Sequence, residues 1–204
     1  MKALLIPKTP FGPVALVWRM HKDRPLLSRV LLSRPGLRAD RQLRRDYPGV
    51  ANASCRDMDE VARNLHDFLE GADLRFSIDL ADLGSCTAFQ QSVLRAEHGI
   101  PRGSVSTYRR LAEHLGKPLG ARAVGNALAN NPFPLIVPCH RAIRSDGHLG
   151  GFQGGLAMKR ALLENEGIAV NQENCVFLKY GIDDRPSLHL YLQPVEVRPE
   201  NTTG

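Results

Sequence analysis

The 204-residue chain has little of what marks the commonest small-protein chemistries. Its four cysteines, Cys55, Cys86, Cys139 and Cys175, are widely spaced and contain no CxxC pair. Neither a zinc finger nor a disulfide framework is indicated, and a reducing compartment is the natural setting. No apolar run approaches a membrane span, and the apolar start Leu4-Leu5-Ile6 is too short for a signal peptide. The expectation is a soluble intracellular protein, in which the glycosylation sequons at Asn52 and Asn201 are chance matches. Aromatic residues make up only 6%, with one tryptophan, yet 43% hydrophobic content suffices for a real core. Acidic residues are outnumbered, 21 against 27 Lys plus Arg. The resulting net charge of +6 suits a polyanionic partner without requiring one.

The first eighty or so residues read as a small α/β unit. Val14 to Trp18 and Leu26 to Leu32 are β-compatible runs with the spacing of a hairpin. The stretch from Arg34-Pro35-Gly36 to Pro48 is basic and proline-punctuated, as in a solvated loop. Val61, Leu65, Phe68 and Leu69 recur at helical spacing, with Gly71 after them. Leu74, Phe76, Ile78 and Leu80 alternate with polar residues, which predicts a half-buried strand.

A boundary near Asp82 to Ser85 precedes a helical half. Thr87 and Gln90 have capping-box spacing, and Thr107 can cap a second helix that ends at Gly116-Lys117-Pro118. A third helix runs from about Gly120 to Ala129, giving a helix-turn-helix pattern that is often only core packing. On it Val124 and Leu128 point one way and Arg122 the other, between residues with almost no side chain. The prolines of Asn131-Pro132-Phe133-Pro134-Leu135-Ile136-Val137-Pro138-Cys139-His140-Arg141 then deliver a cysteine with little freedom of direction. An isolated Pro-Cys most often marks a buried core thiol, but here a histidine stands directly behind it. Five glycines follow between positions 147 and 155, a loop able to bring backbone N–H groups close to a ligand or to serve as a linker. It is not a phosphate loop, since no Gly-Lys-Ser/Thr follows. On the next helix Glu166 shares the face of Leu162 and Leu163, and a carboxylate there needs a partner such as His140 or Arg141. Val176-Phe177-Leu178 is a candidate strand, and the stretch through Pro186, Pro194 and Pro199 reads as a poorly ordered tail.

Together, Thr107-Tyr108-Arg109-Arg110-Leu111-Ala112, Gly120-Ala121-Arg122-Ala123-Val124-Gly125, Asn131-Pro132, Val137-Pro138-Cys139-His140-Arg141, the glycine loop and Leu162-Leu163-Glu164-Asn165-Glu166-Gly167 resemble the O6-alkylguanine-DNA alkyltransferase family in order and spacing. The resemblance covers about Thr87 to Val170 and reaches the first eighty residues only loosely. It implies an α/β N-terminal domain of ribonuclease-H-like shape over 1–84. A mainly helical domain with a winged-helix-like helix-turn-helix follows over 85–170, then a C-terminal extension over 171–204.

The implied activity is stoichiometric, suicidal transfer of an alkyl group from O6-alkylguanine in DNA, with O4-alkylthymine a second candidate, to Cys139. By resemblance His140 takes the thiol proton through a water, Glu166 orients the imidazole, Asn131 braces the turn and Tyr108 donates to the departing base. Arg122, with Ala121, Ala123, Gly125 and Thr107, would meet the DNA minor groove, the arginine filling the space of a rotated nucleotide. Val137, Pro138, Phe152, Gln153 and Gly154 would form the substrate pocket. The family often has tyrosine then serine where this chain has Phe152-Gln153, which bears on alkyl-group preference. No metal or cofactor is implied. The partner would be double-stranded DNA containing alkylated guanine, bound by a monomer in the cytoplasm, or in the nucleus of a eukaryote, with no membrane association. Two other classes use similar parts. A non-catalytic lesion-binding relative would lack the cysteine, and a cysteine hydrolase would turn over and have no use for Arg122.

Overall fold

The structure, a computed structural model, describes residues 1–177, 190–192 and 194. The chain opens with β1 (Lys2–Ile6), β2 (Val14–His21) and β3 (Arg24–Leu32). β2 and β3 form the expected hairpin, and Lys22 and Asp23 both take positive φ, the left-handed tip that matches strand twist. Helix α1 (Ala39–Asp46), the short β4 (Ala51–Asn52) and helix α2 (Arg56–Leu69) complete this half. The sheet order is β3-β2-β1-β4, with β4 parallel to β1 and the other pairs antiparallel.

Alternation along β2 sends Val14, Leu16 and Trp18 to one face, where α2 supplies Met58, Leu65 and Phe68. Ala15 and Val17 go to the other face, where α1 rests through Ala39, Leu43 and Tyr47. Helix α1 corrects the expected loop between Arg34 and Pro48. Its only buried residues are Ala39 and Gln42, and the Gln42 amide donates to the Leu32 carbonyl at 2.7 Å, so apolar periodicity had almost nothing to register.

The strand expected over Leu74 to Leu80 is also corrected. Phe76 is buried and its neighbours exposed, but the backbone runs unpaired into a 3-10 turn at Ile78–Leu80. The open edge of β3 is met instead by single bonds, from Asp82 N to Leu27 O at 2.9 Å and from Val30 N to Pro132 O at 2.8 Å. Period-two burial survives here without a ladder.

The second half holds α3 (Ala88–His98), β5 (Ser106–Thr107), α4 (Tyr108–His114), α5 (Ala121–Ala129), β6 (Ala142–Ile143) and α6 (Leu156–Asn165). Both expected caps form: Thr87 Oγ1 accepts from Gln90 N and Thr107 Oγ1 from Arg110 N, each satisfying an orphan donor. The Gln90 side chain turns away from its own cap to the carbonyls of Ala127 and Asn130, tying α3 to the end of α5. One apolar core runs from the sheet through α2, α3 and α5 to Cys139.

Of the proposed tail, Leu192 exchanges backbone hydrogen bonds with Val105, and Leu190 O accepts from Ser106 Oγ, so this part is docked. Pro186 and Pro199 lie outside the described residues. Val176 forms an isolated bridge to Val170 and donates to Gly147 O, and Phe177 is in no strand, so the candidate strand is not formed in its described part; Leu178 lies outside. No helix among the described residues is long and apolar enough to cross a membrane.

Candidate active site

The apolar run Phe133 to Val137 is fully buried, and Leu135 within it holds a left-handed φ of 75, a strained conformation for a branched side chain. Asn131 braces both ends of the excursion. Its Oδ1 accepts from Phe133 N at 2.9 Å, and its Nδ2 donates to Val137 O and to Cys139 Sγ, each at 3.3 Å. Cys139 opens a 3-10 turn, Cys139–Arg141, and is 6% exposed. Burial, outweighing the Asn131 hydrogen bond, pushes its thiol up to about 12. The resting group is therefore a thiol.

Behind the cysteine, His140 Nε2 donates to Glu166 Oε1 at 3.0 Å, and both side chains are almost wholly buried. Burial holds the imidazole below its usual range despite the adjacent carboxylate, so it is neutral near pH 7. His140 Nδ1 is buried without a protein partner among the described residues. Arg141 grips the same carboxylate from the other side, with Nε reaching Oε1 and Oε2 at 3.2 and 2.9 Å and a terminal nitrogen reaching Oε1 at 2.7 Å. Burial alone would raise Glu166; its bonds to His140 and Arg141 overcome that and hold it at about 2. Arg141, always charged, is the countercharge, which leaves His140 free to remain neutral. Either residue was a possible partner from sequence; the structure uses both.

A cavity of about 430 Å³ opens over the thiol, lined by Tyr108, Gly125, Leu128, Ala129, Cys139 and the loop Gly151 to Gln153, with Arg34 at its edge. Burial pushes the Tyr108 phenol up to about 12, so it stays a donor. Gly150 lets that phenol in: a Cβ there would stand 2.8 Å from the Tyr108 oxygen. Phe152 packs edge-on against His140, ring centroids 6.2 Å apart. The Gln153 amide donates to Ala129 O and Asn131 O at 3.1 and 2.6 Å, which pins the glycine loop across the end of α5.

The remaining expected pocket residues are not brought to this cavity. Val137 is fully buried, Pro138 borders a separate cleft near Phe76, and Gly154 sits where a Cβ would strike the Met158 sulfur. Arg122 is exposed on α5 with Ala123, and Ala121 is half-buried beside them. Gly125 lies against the Tyr108 ring at the cavity wall. Thr107 is only 4% exposed and its hydroxyl accepts from Arg110 N as the cap of α4.

Two buried ionisable side chains escaped the sequence reading. Lys159, fully buried, donates to the carbonyls of Ala142, Leu149 and Gly151, linking the cysteine turn to the glycine loop. Glu97, equally buried, sits on α3. The signal was present: Lys159 shares a helical face with Leu162, Leu163 and Glu166, and Glu97 with Val93 and Leu94. Among the described residues there is no cluster of side chains able to hold a metal.

Comparison with known proteins agrees with this geometry. Residues 88–168 match the model of the 6-O-methylguanine DNA methyltransferase, DNA binding domain. A methylated-DNA–protein-cysteine methyltransferase of Methanothermobacter thermautotrophicus is 47% identical over 103 residues, half of this chain and 57% of that protein. The match thus spans little more than half of that relative's length. A protein of the same name from Salmonella typhimurium is 32% identical over 170 residues, 78% of this chain and 92% of that one. The crystal structure of Mycobacterium tuberculosis OGT in complex with DNA is similar with a TM-score of 0.64 and 31% identity, covering 81% of this chain and 92% of that one. With relatives aligned over nearly their whole length and a buried Cys139 backed by His140 and Glu166, the chain belongs to the methylated-DNA–protein-cysteine methyltransferase family.

Proposed function

We propose that this protein repairs DNA by moving an alkyl group from O6-alkylguanine to its own Cys139, once per molecule. The carrying observation is the placement of a buried thiol under Tyr108, with Asn131 on its sulfur and the His140–Glu166 pair behind it. The thiol proton passes through a water to His140 Nδ1, the buried nitrogen left open while Nε2 is fixed on Glu166. The sulfur attacks the alkyl carbon, the carbon–oxygen bond breaks, and its electrons leave with guanine while the Tyr108 phenol donates a hydrogen bond to the base. A C–S bond replaces a C–O bond, and the thioether is not reopened, so no turnover follows.

Entry to a cavity beside α5 requires the nucleotide to leave the duplex. Exposed Arg122 between Ala121 and Ala123 suits insertion into the vacated stack, with the small residues permitting close approach to the minor groove. On this reading α4 and α5 are a winged-helix-type helix-turn-helix within an acceptor domain of about 85–170, and residues 1–84 form a ribonuclease-H-like companion. A monomer acting on DNA in the cytoplasm, or the nucleus of a eukaryote, is the matching setting. Phe152 and Gln153 in place of two hydroxyls leave the lesion oxygen to backbone donors. Intact-mass measurement after mixing with duplex DNA carrying O6-methylguanine tests the proposal. The expected result is a gain of one methyl, mapped to Cys139; continuous product release with no adduct would indicate a hydrolase instead.

A further inference from the structure

A turn of the sheet half reaches the acceptor cavity, and the chemistry above leaves it unused. Among the described residues lining the cavity over Cys139, Arg34 is the one charged side chain and the one that comes from the first eighty residues. It is exposed, and its guanidinium has no hydrogen bond or ion pair among the described residues. Neighbouring arginines of this basic stretch are paired locally, Arg38 and Arg44 with Asp40 and Arg45 with Asp46. The backbone beneath Arg34 is fixed from several sides. Its N–H donates to Leu37 O at 3.0 Å and its carbonyl accepts from Leu37 N at 2.9 Å, closing a turn in which Gly36 takes a φ of 77. Buried Ser33, just before it, donates to Pro13 O at 2.6 Å and accepts from Ala39 N at 3.0 Å. Pro35 rests on the glycine loop, so close that a Cβ on Gly155 would stand 3.2 Å from its ring. The turn therefore holds an unpaired cation in place beside the loop that walls the cavity.

We propose that Arg34 is a phosphate-binding residue of the acceptor site, which grips the backbone of the extruded nucleotide while its base occupies the cavity. The inference rests on the transfer reading above. An O6-alkylguanine base is neutral, and the cavity lining meets it with a phenol, a thiol, one side-chain amide and apolar walls. The full negative charges of the nucleotide are on its two flanking phosphates, which cannot follow the base inward without giving up their hydration. A guanidinium with no acid of its own, held at the same cavity, matches them in charge and in its planar pair of donors. Because the turn is already closed, binding orders only the side chain and leaves the backbone as it was. Arg34 and Arg122 thus divide the work: Arg122 is placed to fill the vacated stack, and Arg34 holds the nucleotide that left it. The sheet half gains a part in the reaction, through a cation that no helix of the DNA-binding half supplies to this cavity.

The test uses the full chain and compares O6-methyl-2′-deoxyguanosine with the same nucleoside as its 3′,5′-bisphosphate, alongside duplex DNA carrying O6-methylguanine. Single-turnover transfer is measured for wild type, Arg34→Ala and Arg34→Lys. Wild type should transfer from the bisphosphate faster than from the nucleoside, and Arg34→Ala should lower that preference about tenfold. On duplex DNA Arg34→Ala should bind with a salt slope smaller by about one unit. Arg34→Lys should keep part of the preference, since the charge remains and the fork is lost. An unchanged preference in Arg34→Ala overturns the proposal, because a structural role, or a contact with the departing guanine, slows both small substrates alike. A wild type with no preference for the bisphosphate overturns it too. If Arg34→Ala does not fold, Arg34→Gln, which keeps the stem without the charge, takes its place under the same criteria. A wild type that never gains a methyl sinks the transfer reading, and the salt slopes of wild type and variant on duplex DNA still decide whether Arg34 meets a phosphate.

Discussion

The side-chain amide of Asn131 donates to the Cys139 sulfur at 3.3 Å and, from the same nitrogen, to the Val137 carbonyl at 3.3 Å. One planar group therefore fixes both the path of the acceptor turn and the direction of its thiol. Asn131→Ala orphans the buried Phe133 N–H and removes one of two donors to the Val137 carbonyl, which keeps the Cys139 N–H, and should cost about 1–3 kcal/mol in denaturant unfolding. Transfer should slow as well, because the thiol loses the Asn131 donor. Unfolding midpoints matching the wild type would show that the turn holds its shape by packing alone.

Cys139→Ala should abolish transfer and leave DNA binding largely intact, since the thiol lies under the cavity and away from α5's exposed face. Titration of a labelled duplex by anisotropy and a parallel adduct assay separate the two properties. Residual adduct would assign the nucleophile to Cys55, Cys86 or Cys175.

Glu166 gives a pH prediction with a defined sign. Its folded-state value, about 2, lies below the ordinary carboxyl value of 4.5, so its stabilisation is complete above about pH 4.5 and disappears as pH falls through the folded value. Wild type should lose on the order of 3 kcal/mol across that window from this group, and Glu166→Gln should lose far less. At neutral pH the variant should be less stable, with Arg141 left facing a neutral amide, and its transfer rate should rise only at higher pH than the wild type's. Parallel acid-unfolding curves for the two proteins would remove Glu166 from this role.

Arg122 should separate flipping from binding. Loss of an ordinary phosphate contact weakens affinity on any DNA and lowers the salt slope by about one unit. Arg122→Ala should instead reduce transfer from duplex DNA by about 10- to 100-fold while transfer from free O6-methylguanine base stays nearly constant. Arg122→Lys should rescue little, because an ammonium neither stacks nor spans two acceptors. Equal losses on base and duplex would place Arg122 in the fold or the pocket.

What was legible in the sequence followed locality. The β2–β3 hairpin, α2 and the caps at Thr87 and Thr107 depend on neighbours within a few residues, and each was readable. Helix α1 was hidden because it buries an alanine and a glutamine, and the segment Leu74 to Leu80 misled because its burial alternates while β3 bonds elsewhere. At the site, the prolines announced a constrained Cys139, and the position of Glu166 demanded a partner. That Arg141 grips it as firmly as His140, and that Gln153 is spent on α5, are long-range facts without a local signature. Lys159 and Glu97 were within reach, since charged residues in register with leucines on helices are as informative as the leucines themselves.

The bond from Val30 N to Pro132 O joins the open edge strand of the sheet to the residue that follows Asn131. An amide at that point exchanges with solvent only when the strand and the acceptor turn part company. Its exchange rate is therefore a spectator's record of how often the turn loosens, readable far from the sulfur and without disturbing it. Comparing that one amide before and after alkylation would report whether the spent protein holds its two halves as tightly as the fresh one.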